Sequence, residues 1–329
     1  MFGSNKMKLY SQSVYDKLND NNKELLEDYL LEQEMNGRAE STLRQYESDI
    51  KGFMCYLFDK ESDKDILDVT KKEYQKFFQY MHAANSEARV NRFQSSLRTM
   101  LDFAVESSDY DYDINEMRYV KGLKKTIVRE PQFLSDAQVT QLIDYLCSHK
   151  QFKQAAYVSL SYDSAGRRNE IIQVKKNNFM DKKITNKVKG KNNKAFKLFY
   201  FSRTQKIVGL WLKQRGEDSI ESLWVSSKNG KKEELKYEIF NYWCLKFRKV
   251  MLLLTGERID ITPQTFRHSA IDNYTSGTHS SLKELGKDRL SLEMVQWMVH
   301  HNDVNTTQSY MRSVEDHNLS QYLGIDLEG

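Results

Sequence analysis

A histidine and a tyrosine about two helical turns apart, His301 and Tyr310, lie in the run His300-His301-Asn302-Asp303-Val304-Asn305-Thr306-Thr307-Gln308-Ser309-Tyr310, just after an apolar helical stretch. A tyrosine hydroxyl is a poor nucleophile at its reference pKa of about 10, so it becomes reactive only where cationic groups converge on its target. Three upstream segments supply cations. Ser164-Ala165-Gly166-Arg167-Arg168-Asn169-Glu170 reads as a helix start, with Arg167 and Glu170 three apart on one face. Lys189-Gly190-Lys191-Asn192-Asn193-Lys194 joins two alternating stretches, 183–188 and 195–199, and predicts a hairpin with a basic tip. Thr262-Pro263-Gln264-Thr265-Phe266-Arg267-His268 predicts a helix with proline in its first turn and arginine one turn in.

In that order, the four segments resemble the tyrosine recombinase (phage integrase) family. Its pattern is an Arg-x-x-Glu helix, a lysine-bearing hairpin, a His-x-x-Arg-His helix, and a Leu-Gly-His helix followed nine residues later by the nucleophilic tyrosine. Each motif alone is weak; their order and separations make the signal, which spans about residues 20 to 325. Residue by residue, the resemblance implies a catalytic set of Arg167, Lys191, Gln264, Arg267, His301 and Tyr310. It departs from the pattern at three places. Gln264 stands where histidine is usual, Ser164-Ala165-Gly166 replaces Thr-Gly-Leu, and Val299-His300 replaces Leu-Gly.

The resemblance implies phosphoryl transfer to Tyr310, with negative charge building on the non-bridging oxygens, so positioning and cationic stabilisation dominate. Arg167 and Arg267 would grip the phosphate with planar, permanently charged guanidinium groups. A hairpin lysine would protonate the leaving 5′ oxygen; Lys191 fits best, with Lys189 and Lys194 as rivals. His301 would hydrogen-bond the phosphate or the nucleophile. Such chemistry needs no metal or other cofactor, and no histidine or carboxylate spacing suggests one.

The elements that must position these residues follow from the rest of the chain. With 329 residues, 29% charged, 39% hydrophobic and two prolines, it is long enough for two helix-rich domains. The absence of a long apolar run argues against a membrane span, and Cys55, Cys147 and Cys244 have neither disulfide nor zinc spacing, so a cytoplasmic protein is expected. Residues 1–110 hold 15 Lys and Arg against 20 Asp and Glu, net −5, which leaves +9 of the total +4 for the remainder. The cationic footprint expected of a DNA-binding protein is therefore C-terminal and densest in the hairpin, where Lys187, Lys189 and Lys194 flank the tip.

Four segments are expected: an N-terminal extension over 1–19, a helical domain over 20–110, a linker over 111–130 and a catalytic domain over 131–329. Helical spacing of Leu25, Leu26, Tyr29 and Leu30, of Leu43 to Leu57, of Tyr74 to Met81 and of Val90 to Ala104 predicts four helices whose aromatic stripes form core. The resemblance identifies these with the SAM-like core-binding domain, and implies a mainly α fold with a small β-hairpin that closes on DNA as a C-shaped clamp. Arg38, Arg44, Lys51, Arg89, Arg92 and Arg98, with Lys121, Lys124 and Lys125 in the linker, are the candidate phosphate contacts. The implied partner is double-stranded DNA, at inverted-repeat sites, and a second copy of the chain docked through the apolar tail Asn318-Leu319-Ser320-Gln321-Tyr322-Leu323-Gly324-Ile325, which could equally fold back in cis. The alternative is a DNA-binding regulator, similar to a phage repressor, that keeps the fold but has lost strand exchange.

Overall fold

The computed structural model describes residues 9–124, 132–179, 183–190 and 194–300. The chain divides into two compact units, Met1–Val128 and Arg129–Gly329.

In the first unit, a single turn α1 (Gln12–Tyr15) precedes α2 (Asp20–Met35), α3 (Glu40–Lys60), α4 (Lys71–His82) and α5 (Glu87–Glu106). Local chemistry sets the starts. The Asn19 side chain accepts from the Asn22 backbone N–H at 2.8 Å, and the Thr70 backbone N–H donates to Glu73 at 2.8 Å, which satisfies donors left open at a helix N-terminus. The apolar stripes face one another: Phe53 meets Phe77 edge-on at 4.7 Å and stacks with Tyr74 at 5.3 Å, all three buried. Burying each such side chain contributes roughly 1.5–3 kcal/mol, which holds the helices together. One carboxylate is buried with them. Asp49 accepts from Arg92 Nε at 3.0 Å and Nη2 at 2.8 Å, and from Ser96 Oγ at 3.0 Å, tying α3 to α5.

The stretch that follows α5 packs back on this unit as far as Leu123. Met117 and Val120 are buried in its core, Arg98 donates to the carbonyl oxygens of both, and Asn91 exchanges two hydrogen bonds with Leu123 at 2.9 and 2.8 Å. Lys121 and Lys124 stay exposed, while Lys125 lies outside the described residues.

The second unit runs α6 (Asp136–Ser148), α7 (Phe152–Ser164), α8 (Arg168–Ile171), β1 (Ile184–Lys189), β2 (Ala195–Phe199), α9 (Ser202–Arg215), β3 (Val225–Lys228), β4 (Lys231–Glu234), α10 (Ile239–Thr255), α11 (Pro263–Ser276), α12 (Leu282–Leu285) and α13 (Leu292–Met298). The strands form two antiparallel pairs, β1 with β2 and β3 with β4. Val188 and Leu198 turn inward from the first pair while Lys187, Lys189 and Lys197 turn out, the alternation of a half-buried hairpin. The core centres on Tyr157 of α7, which stacks on Phe240 of α10 at 4.3 Å with Trp243 edge-on at 5.6 Å. The mainly helical fold with a small β-hairpin expected from the sequence is the fold that forms. Among the described residues, no helix is long and apolar enough to cross a membrane.

Candidate active site

The site assembles where α7 ends. Asp163, fully buried, accepts from the Thr204 hydroxyl at 2.6 Å and the Phe201 backbone N–H at 3.0 Å, and its own carbonyl accepts from the Tyr274 hydroxyl at 2.8 Å. Burial raises its pKa, opposed by Arg203 and by these hydrogen bonds. The last turn of α7 is thereby fixed to α9 and α11, and the next residue, Ala165, ends the helix in the left-handed conformation at φ 48°. Gly166 then serves space: a Cβ there would lie 2.8 Å from Ile171 Cδ1 and 2.9 Å from Ser164 Oγ.

Arg167 is the N-cap residue of α8, and its environment is set by Glu170. The carboxylate accepts from the Arg167 backbone N–H at 2.7 Å and from Nη1 at 3.0 Å. Glu170 is buried, whereas the Arg167 side chain keeps 28% of its surface exposed, so the guanidinium is steered by the carboxylate and still open to an anion.

Arg267 is held differently. Thr262 caps α11 and Pro263 occupies its first turn, which places Arg267 one turn in on the face against α7. Its side chain is fully buried, with Nη1 donating to the Ala165 carbonyl at 2.5 Å and Nη2 to the Val299 carbonyl at 3.0 Å. The residue after Val299, His300, is also left-handed, at φ 52°. Both carbonyls that hold Arg267 therefore belong to turns with φ > 0, at the two places where the family pattern has glycine. An L-residue there costs about 1–2 kcal/mol, though histidine tolerates such a backbone better than most residues. Ala165 and His300 thus adopt a backbone state that glycine favours.

The hairpin meets the same spot. Gln173, just past α8, donates to the Lys189 carbonyl at 2.9 Å and accepts from its N–H at 2.8 Å. Gly190 leaves room for the Phe196 ring and the Glu170 carboxylate, since a Cβ there would sit 2.5 Å from Phe196 Cε1 and 3.3 Å from Glu170 Oε1. The Phe196 ring lies 3.9 Å, centroid to centroid, from that of His300. Burial foremost, then the charge of Lys194, pushes the His300 imidazole below its ordinary pKa; Arg267 adds to this, and a hydrogen bond to the Lys197 backbone and the charge of Glu170 oppose it.

The structure thus gathers Arg167, Arg267 and the Lys189 and Lys194 flanks of the hairpin around Glu170 and His300. Gln264 is exposed one turn before Arg267. Lys191, His301 and Tyr310 lie outside the described residues. Lys187, Lys189 and Lys194 are all exposed. Among the candidates of the first unit, Arg38 donates to the Gln33 side chain at 3.2 Å, Arg44 pairs with Glu40, and Lys51 pairs with Glu47 at 2.6 Å. Arg89 lies 5.9 Å from the Phe93 ring, and Arg92 and Arg98 engage Asp49 and the Met117 and Val120 carbonyls as described. Sequence reasoning did not anticipate Gln173, Phe196 or His300 as parts of the site. Only the glycine-to-histidine departure at position 300 carried a signal. No group of three or more His, Cys, Asp or Glu that could hold a metal exists among the described residues.

Comparison with known proteins bears on family and fold. The phage integrase family model matches residues 132–317, and the model of the phage integrase N-terminal SAM-like domain matches residues 24–107. The chain is 22% identical over 314 residues to the SPbeta prophage-derived recombinase-like protein YomM of Bacillus subtilis, covering 90% of this chain and 89% of that one. It is 26% identical over 308 residues to the tyrosine recombinase XerD of Staphylococcus haemolyticus, covering 87% and 92%. Its fold is similar to that of lambda integrase residues 75–356, solved as a dimer on a core site, with TM-score 0.67 at 15% identity over 89% of this chain and 96% of that one. It is also similar to XerH recombinase bound to its palindromic difH substrate, with TM-score 0.63 at 15% identity over 86% and 79%. The order of motifs, the two-arginine site and the matches along both units lead to one conclusion: this chain belongs to the tyrosine recombinase (phage integrase) family.

Proposed function

We propose that the protein is a site-specific recombinase that cuts and rejoins double-stranded DNA through Tyr310. The observation that carries this reading is the convergence of Arg167 and Arg267 with the basic hairpin at one point, each arginine held by its own partners before any anion arrives. Preorganised cations of this kind stabilise a phosphorane without reorganising during the reaction. The Tyr310 oxygen, its hydroxyl proton released to solvent, attacks the scissile phosphorus and displaces the 5′ oxygen, which takes a proton from a hairpin lysine, Lys191 in this assignment. A 3′-phosphotyrosyl ester results, and attack by a second 5′ hydroxyl reverses the step and joins a new strand. His301 and Gln264 hydrogen-bond the phosphate; glutamine donates there but carries no charge.

Its sites are inverted repeats bound by copies of the chain that associate through the tail at residues 318–325, and it acts in the cytoplasm. Arg38, Arg44, Lys51, Arg89, Arg92 and Arg98 of the first unit, with Lys121, Lys124, Lys125, Lys187, Lys189 and Lys194, supply phosphate contacts. At two of the departures, Ala165 and His300 adopt φ > 0, a backbone state that glycine takes freely, which supports the recombinase reading over a recombination-inactive regulator. The test is to incubate wild type and Tyr310→Phe with sheared DNA from the source organism, denature in SDS and sequence the DNA that stays attached. Wild-type adducts at a few inverted-repeat sites, absent from Tyr310→Phe, are expected; DNA held at discrete sites without adducts would overturn the cleavage assignment.

A further inference from the structure

A groove on the first unit has no part in the arginine site. One wall is a single face of α4, where Lys71, Gln75, Phe78, Gln79 and His82 recur at helical spacing, and the other is the chain over residues 119–123. The volume is about 450 Å³, the size of a small-molecule site. The second wall is fixed in place. Arg98 donates to the Val120 carbonyl at 3.2 Å, and Asn91 exchanges two hydrogen bonds with Leu123. Gly122 lets the backbone pass close to Gln94, since a Cβ there would lie 3.6 Å from Gln94 Oε1. The groove is therefore formed before any ligand arrives.

Gln94 of α5 lines it. The residue is only 3% exposed, yet its amide neither donates to nor accepts from any described residue. Buried amides in folded proteins are nearly always hydrogen-bonded, and leaving one without a partner destabilises the fold, so this one is suited to a partner from outside. Gln75 and Gln79, one turn apart and exposed, are likewise unpaired among the described residues. Phe78 and Val120 supply an apolar surface, and the Tyr119 ring is 57% exposed. Lys71 and Lys121 have no acidic partner among the described residues. Glu87 reaches His82 at 3.7 Å, but no carboxylate lines the groove. Each feature matches one part of a nucleotide: an amide pairs with an adenine edge through one donor and one acceptor, aromatic rings stack on a base, and free ammonium groups take phosphate.

We propose that this groove binds a nucleotide unit, with Gln94 paired to the edge of an adenine base, the base against Phe78 and Tyr119, and the phosphate held by Lys71 and Lys121. A free nucleotide and one nucleotide of a single strand present this same chemistry, and the experiment separates them. The site does not depend on the recombinase reading, and its test involves no cleavage.

The experiment is a calorimetric titration of the full chain with deoxyadenosine monophosphate, and in parallel with a single-stranded oligodeoxyadenylate. Gln94→Leu removes the amide at similar size and is expected to weaken binding about 10-fold or more, the worth of one paired base edge. Lys121→Ala should weaken the monophosphate and leave the nucleoside deoxyadenosine unchanged. In wild type, the bound nucleotide should slow backbone hydrogen exchange over residues 71–82 and 116–123, a readout that needs no variant to fold. Binding of the monophosphate assigns the site to a free nucleotide; binding of the oligonucleotide alone, with the same dependence on Gln94 and Lys121, assigns it to a strand. Neither probe binding at millimolar concentration, protection confined to other segments, or inorganic phosphate binding as tightly as the monophosphate would overturn the proposal. An affinity unchanged in a folded Gln94→Leu protein would do the same.

Discussion

Replacing Arg267 with lysine separates what this side chain does for the fold from what it does for the reaction. The guanidinium is fully buried and spans two carbonyls from distant parts of the chain, Ala165 at 2.5 Å and Val299 at 3.0 Å. A lysine ammonium is a point donor and cannot bridge both, so one buried carbonyl is left without its partner, at a cost of about 1–3 kcal/mol. For a unit of this size each kcal/mol lowers Tm by roughly 2–4 °C, so a fall of roughly 2–12 °C is expected. All four tryptophans, Trp211, Trp224, Trp243 and Trp297, lie in the second unit, so thermal unfolding followed by tryptophan fluorescence reports that unit alone. Cleavage should fall on the order of 10²–10³-fold. Arg167→Lys is the control: its side chain is 28% exposed and pairs with Glu170 within one turn, so cleavage should fall comparably while Tm moves by little. An Arg267→Lys protein that melts with wild type, or below which Arg167→Lys melts, would refute the reasoning.

Asp49→Ala strips Arg92 and Ser96 of their shared buried acceptor and should destabilise the first unit by about 1–3 kcal/mol, read as a lower urea midpoint by circular dichroism; an unchanged midpoint would show that the network is neutral. Gly166→Ala places a methyl 2.8 Å from Ile171 Cδ1 and should cost about 1–3 kcal/mol with slower cleavage, checked by the same fluorescence melt and by single-turnover cleavage. Acid should weaken the second unit. Burial foremost, then Arg267, depresses the His268 pKa to about 4, and burial foremost depresses that of His279, so both are neutral in the fold and gain protons on unfolding. Their contribution is complete above about pH 6.5 and is lost as pH falls toward about 4, which fluorescence-detected melts across that range would show. His268→Asn should flatten the slope, which distinguishes it from Asp163, whose burial-raised pKa acts with the opposite sign.

Much of this architecture is legible in the sequence because it rests on local periodicity. The apolar spacing of Leu25 to Tyr29 and of Tyr74 to Met81 needs only a helix to place it inward, and the aromatic stripes are core. The alternation around the Lys189–Lys194 tip and the Thr262-Pro263 start identify the hairpin and α11 in the same way. The β3–β4 pair was not anticipated, although its two-residue loop Asn229-Gly230, with φ 52° and 76°, carries a recognised hairpin signal. The left-handed states of Ala165 and His300 could not be read, because neither residue type announces a positive φ. Equally hidden were contacts between distant residues: Arg92 with Asp49, Arg267 with Val299, and Phe196 with His300. Tertiary packing alone decides these, and the first ties Arg92 to a buried carboxylate while leaving 44% of its side chain exposed.

The claim that the chain is a recombinase depends on a covalent bond to one particular tyrosine among 19. Its most direct test is to trap wild-type protein on a nicked substrate, trim the DNA with nuclease, and locate the remaining phosphonucleotide by mass spectrometry of tryptic peptides. A 3′-phosphonucleotide on Tyr310, and none after Arg267→Ala, is the result this account predicts. A nucleotide on another residue, or no adduct in a protein that still binds its site, would contradict it.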